Sequence, residues 1–153
     1  LRYFDFGRYS RPDVAETRGE NEGAVRSSRN FGELILNYNW DFNMTDDENV
    51  TKILTTLHRS EKLRGYGMIA GALAKGLDYD AMLNYAQRLE NMGYQPFGGY
   101  TSSCAVGNAT YCAKFVRGVA GAGGMSFAPG TYTGFANLRE AKRRSGSNII
   151  TIP

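Results

Sequence analysis

Nineteen glycines in 153 residues cut this chain into short pieces. A glycine inside a helix costs about 1 kcal/mol relative to alanine, so helices are expected to stop where glycines fall. The clearest helix is Thr45–Leu63. Thr45 and Glu48 have capping-box spacing, and Val50, Ile53, Leu54 and Leu57 share one face. Gly65 and Gly67 end it. Met68–Lys75 reads as a short alanine-rich helix stopped by Gly76. Asp78 is placed to cap the next helix, whose apolar face is Met82, Leu83, Tyr85, Ala86 and Leu89, and Gly93 closes it. Another helix is expected from Asn108 or Ala109 through Arg117, loosened by the glycines from Gly118 to Gly124. Pro129–Gly130 marks a turn. Tyr132–Arg144 is a last, basic helix closed by Gly146. Phe31–Phe42, which holds the only tryptophan, Trp40, fits strand or helix, and Asn148–Ile152 fits a short strand or an extended tail.

The expected fold class is therefore mainly α. Several short helices are joined by long Gly-rich irregular loops around a thin core that a partner helps to shape. Three regions are expected: an extended Arg- and aromatic-rich arm over residues 1–44, a helical domain over 45–145, and a tail over 146–153. The arm reading rests on Tyr3, Phe4, Phe6 and Tyr9 standing among arginines.

Valine, isoleucine and leucine are sparse, while there are 10 tyrosines, so little aliphatic surface is available for burial. Net charge is +3, far from that of a chain that coats nucleic acid. The basic residues cluster as Arg8, Arg11, Arg18, Arg26 and Arg29, and again as Arg139, Lys142, Arg143 and Arg144. Arginine outnumbers lysine, which favours bidentate and stacking contacts. The partners such clusters suit are acidic protein surfaces or nucleic acid. No stretch is long and apolar enough to span a membrane.

The chemistry concentrates in Gly98–Cys112, GGYTSSCAVGNATYC, which holds both cysteines, Cys104 and Cys112. They lie among Gly, Ser, Thr and Tyr, where the backbone is pliable and a ligand has access. A disulfide, a metal, a nucleophilic role and covalent modification are all open to such a pair. A single histidine, His58, leaves Cys/His zinc binding poorly supplied, and no local signature supports a Cys–His dyad. Asp46, Asp47 and Glu48 fit helix-dipole stabilisation rather than catalysis. Asn43, Asn49 and Asn108 each begin an Asn-X-Thr pattern, weak evidence in a polar chain. A thioether-linked bilin would suit the open loop, with Tyr100 and Tyr111 flanking it and Lys114 and Arg117 beyond Cys112.

Two stretches, RGYGMIAGALAKGLDYDAMLNYAQRLENMGY at Arg64–Tyr94 and GYTSSCAVGNATYCAKFVRG at Gly99–Gly118, carry a resemblance to a known family. Over residues 45–145 the chain resembles the γ subunits of red-algal phycoerythrin, the pigmented rod linkers of phycobilisomes. The resemblance implies a non-enzymatic light-harvesting linker that fills the central cavity of a hexameric ring of phycoerythrin α and β subunits. It implies contact with other phycobilisome linkers, no nucleic acid, and only a peripheral relation to the membrane. The place implied is the stromal side of the chloroplast thylakoid. It also implies a covalently attached phycobilin, phycourobilin or phycoerythrobilin, on Cys104 and Cys112, with Tyr100, Tyr111, Lys114 and Arg117 around it and no metal. The alternative reading is a small basic assembly or nucleic-acid-binding structural protein without pigment.

Overall fold

Phe4 and Phe6 alternate with Tyr3 and Asp5, and that two-residue period makes the N-terminal segment a strand with two different faces. The computed structural model describes residues 2–30, 38–62, 67–97, 112–127 and 133–153. Among these the order is β1 (Phe4–Gly7), β2 (Glu22–Ser27), α1 (Asp46–Lys62), β3 (Ile69–Gly71), α2 (Tyr79–Asn91), β4 (Gln95–Pro96), α3 (Cys112–Ala122), α4 (Gly134–Ser145) and β5 (Ile150–Ile152). The strands form two antiparallel sheets, β1-β2-β4 and β3-β5.

The first sheet carries the core. Phe6 stands opposite Val25 in the β1–β2 register. Both are buried, with Ala86 of α2 and Phe115 of α3, and Phe4, Leu89, Phe97 and Val119 close around them. The Phe6 ring stacks on those of Phe97 and Phe115, each at 6.1 Å between centroids. At the neighbouring register position Asp5 faces Arg26. Their side chains form a salt bridge, and the Arg26 guanidinium lies 4.2 Å over the Tyr9 ring. Two of the five N-terminal arginines that read as docking groups, Arg11 and Arg26, are thus internal, while Arg8 and Arg29 are exposed. Arg26 is 1% exposed and Arg11 6%.

Arg11 latches the segment after β1 onto the end of α2. Its guanidinium donates to Asp13 through Nε (2.9 Å) and Nη2 (2.5 Å) and to the Glu90 carbonyl through Nη1 (2.6 Å). Its backbone N–H donates to the Tyr94 hydroxyl at 2.9 Å. The hydrogen bond from Arg11 holds the Asp13 carboxyl below the usual carboxylate range, against the opposing effect of burial. A carboxyl lowered on folding adds stability that is complete above its unfolded value, about 4, and is lost as pH falls through the lower folded value. An NMR titration of the Asp13 carboxyl should therefore give a midpoint below 4. Arg11→Gln should return it to the ordinary range; an unchanged midpoint would show that Arg11 does not hold it.

The expected caps are present. Thr45 N–H donates to Glu48 Oε2 at 2.7 Å and Glu48 N–H to Thr45 Oγ1 at 3.2 Å, a closed capping box before α1. Asp78 accepts from Ala81 N–H at the start of α2, and Gly93 and Gly146 take positive φ after α2 and α4. Asn49 is completely buried. It accepts from Tyr38 Oη and Asp41 N–H and donates to the carbonyls of Asp41 and Thr45. With its amide engaged on all sides, Asn49 offers nothing to a glycan in the folded chain.

The mainly α expectation does not hold. Four helices share the chain with two small antiparallel sheets, so the fold is mixed α/β. Two segments account for the difference. Residues 4–27, read as part of an arm, pair as β1 and β2 because their alternate residues meet a two-sided interior. Ile69–Gly71, read as helix, is strand β3 paired with β5. Alanine-rich composition favours a helix only as a weak bias, and here long-range pairing overrides it. A Cβ on Gly71 would stand 2.8 Å from Leu54 Cδ2, so β3 approaches α1 as closely as it does because glycine is there. The following turn is tied down by Lys75 N–H to Ser145 Oγ, Arg144 to the Lys75 and Gly76 carbonyls, and Ser147 Oγ to the Leu73 carbonyl. Arg143 pairs with Glu140 on its own helix. Arg143 and Arg144 thus make contacts within the chain while Arg143 stays 72% exposed.

Helix α3 runs through Gly118 and Gly121 instead of loosening there. Gly118 is required by its neighbour, since a Cβ would stand 2.4 Å from Tyr85 Oη and 2.7 Å from Cζ. Gly118→Ala gains helix propensity of about 1 kcal/mol but forces the Tyr85 ring out of the α2–α3 contact. Overpacking of this kind costs about 1–3 kcal/mol. A net loss of stability in urea unfolding is expected; a gain would show that Tyr85 swings aside freely.

Candidate functional site around the start of α3

Cys112 is the first residue of α3. It is half-buried, and its thiol is free. Phe115 and Val119 follow at three and seven positions, the spacing of one helix face, and both belong to the core cluster. The sulfur thus sits at the end of the core-facing stripe. The first N–H groups of any helix lack intrahelical acceptors, so the residue at this position stands beside backbone donors that can bind an oxyanion. α3 is braced on three sides, by α2, β1 and α4.

The other expected site residues are not all gathered here. Cys104, Tyr100 and Tyr111 lie outside the described residues. Lys114 is on α3, but two residues past Cys112 is about 200° round the helix, so the two leave it in nearly opposite directions. Arg117 is about 140° round, and its guanidinium lies 4.6 Å over the Phe127 ring. His58 is on α1, which packs against β3 and β5, whereas α3 packs against β1, α2 and α4. The helices bearing His58 and Cys112 therefore serve different layers of the molecule. Among the described residues, no group of three or more His, Cys, Asp or Glu side chains is placed to hold a metal ion. None of the described helices is long and apolar enough to cross a membrane.

One residue that sequence reasoning missed is Asn137 of α4. It is buried, and its Nδ2 donates at 3.1 Å to the carbonyl of Ala113, the residue after Cys112. The available signal was an asparagine in the interior of a helix, where it is a poor helix former.

The family model described as type VI secretion system effector TseH-like matches residues 1–125, most of the chain. The chain belongs to that family. No curated protein and no solved structure matches it. The match covers all three strands of the first sheet, β3, α1, α2 and α3, and it ends before α4 and β5.

Membership of a bacterial secretion-effector family overturns the resemblance to phycoerythrin γ subunits. The rod-linker function, the phycoerythrin α and β partners, the other phycobilisome linkers, the chloroplast thylakoid and the light-harvesting role fall with it. So does the alternative of a small assembly or nucleic-acid-binding structural protein. The physical reason is that the resemblance rested on the glycine, alanine and tyrosine texture of residues 64–118, and not on a compact diagnostic motif. The phycobilin expected on Cys104 and Cys112 had that resemblance as its main ground.

Proposed function

We propose that this effector acts as a cysteine-dependent hydrolase in the cell that receives it, with Cys112 as nucleophile. The observation that carries the reading is the free, half-buried thiol at the first position of a helix braced by three other elements. Nucleophilic cysteines need such a rigid support together with donors for the developing oxyanion. In the reaction the sulfur bonds to a carbonyl carbon, and the leaving amine or alcohol departs with the thiol proton. Water then cleaves the thioester and restores the thiol. His58 lies on α1, whose main contacts are with β3 and β5, so the scheme assigns it no step. The expectation of a non-enzymatic chain leaned on the linker resemblance, and a secretion effector carries no such presumption.

The test is expression in a bacterial host, with and without an export signal, followed by growth. The wild-type chain should inhibit growth in one compartment, and Cys112→Ala should not. Inhibition that survives Cys112→Ala would overturn the assignment of the nucleophile. Growth unaffected by the wild-type chain in both compartments would overturn the reading of this chain as a toxic hydrolase.

A further inference from the structure

Asn137 occupies an odd place. It is 8% exposed, in the interior of α4, and only half of its amide is used. Nδ2 donates to the Ala113 carbonyl at 3.1 Å. Oδ1, on the same amide and therefore beside the same turn of α3, is buried with no hydrogen-bond partner. An orphaned buried acceptor costs stability, and an apolar residue of similar size avoids that cost. The Ala113 carbonyl does not depend on Asn137 either, since a helix supplies it with the N–H four residues on. Asparagine thus stands here at a cost in stability, bonded to the residue that follows Cys112.

We infer that Asn137 is a positioning residue for Cys112. Its amide pins the first turn of α3 to α4 and so restrains the sulfur. This rests on Cys112 being the reactive group, and it extends the site to α4, beyond the residues that the family match covers. The Thr133 side chain serves only as the cap of α4, accepting from Ala136 N–H at 3.1 Å, while its backbone carbonyl accepts from Asn137 N–H at 3.2 Å.

The test separates restraint from bulk stability. In a Cys104→Ser background, only Cys112 can be alkylated, and iodoacetamide labelling is followed by intact mass at fixed pH. Asn137→Leu removes the pin and the orphan together. The melting temperature should hold or rise, while Cys112 alkylation should speed up about threefold or more as the half-buried thiol gains freedom. Thr133→Ala removes the α4 cap and should lower the melting temperature with the alkylation rate of the folded protein unchanged. An unchanged or slower rate in Asn137→Leu overturns the inference. A clear fall in its melting temperature also overturns it, because Asn137 would then be ordinary packing. Alkylation needs no catalysis, so this result stands apart from the growth assay; Cys112 could fail there and still be restrained by Asn137.

Discussion

Asp5→Ala is expected to destabilise the protein by about 3–5 kcal/mol, the usual cost of leaving a buried charge without its partner. Arg26 is 1% exposed, and its Nε donates to both Asp5 oxygens at 3.0 and 3.1 Å. Asp5 also accepts from the Tyr3 hydroxyl at 2.5 Å. Burial, reinforced by the Asp5 carboxylate, pushes the Tyr3 hydroxyl well above the usual range of a phenol, so it stays a donor at any ordinary pH. Small domains are stable by about 5–15 kcal/mol in total, so this single change removes a large share. Replacing the pair together, Asp5→Leu with Arg26→Met, should recover most of the loss, because a buried ion pair is often worth no more than a well-packed apolar one. Urea unfolding of the two variants checks both statements. A cost under about 1 kcal/mol for Asp5→Ala would place the pair among weak surface bridges.

Cys112→Ala is expected to abolish growth inhibition with little effect on the fold. Removing a nucleophile from a hydrolase costs about six orders of magnitude in kcat, far more than any positioning residue. Cys112 is only half-buried, so losing one sulfur atom should cost little, and the melting curve should nearly superimpose on that of the wild type. Cys112→Ser keeps size and a hydroxyl but not thiol nucleophilicity, and it should be as inactive as alanine. Cys104→Ser is the control: growth inhibition should persist. If Cys104→Ser is inactive and Cys112→Ala active, the nucleophile lies in the Gly98–Tyr111 segment instead of on α3.

Helices α1, α2 and α4 were legible because their signals are local. Thr45 with Glu48, Asp78, Gly93 and Gly146 set ends through contacts within a few residues, and the structure contains each of these caps. Asn148–Ile152 was left open between a short strand and an extended tail, and pairing with β3 makes Ile150–Ile152 strand β5. Cys112 stood out because its neighbours are small and polar, and the structure puts it at a helix start. The mixed α/β class was not legible. β1, β2 and β3 are short, and each becomes a strand only when a segment distant in sequence supplies its partner, as β5 does for β3 some 80 residues later. Propensity is too weak a bias to reveal this. The arginines were misread for a related reason. A charged side chain looks solvated in a sequence, and only Asp5, Asp13, Glu90 and the aromatic rings around them make burial of Arg11 and Arg26 affordable. Asn137 shows the same limit at the site. Its identity was visible, but its bond to Ala113 spans 24 residues and exists only because α4 folds back onto α3. By itself the sequence determined where helices can begin and end and which thiols are present, since those depend on neighbours along the chain. Only the tertiary structure decided which segments pair as strands, which charges are buried, and which side chain stands behind Cys112, since those depend on neighbours in space.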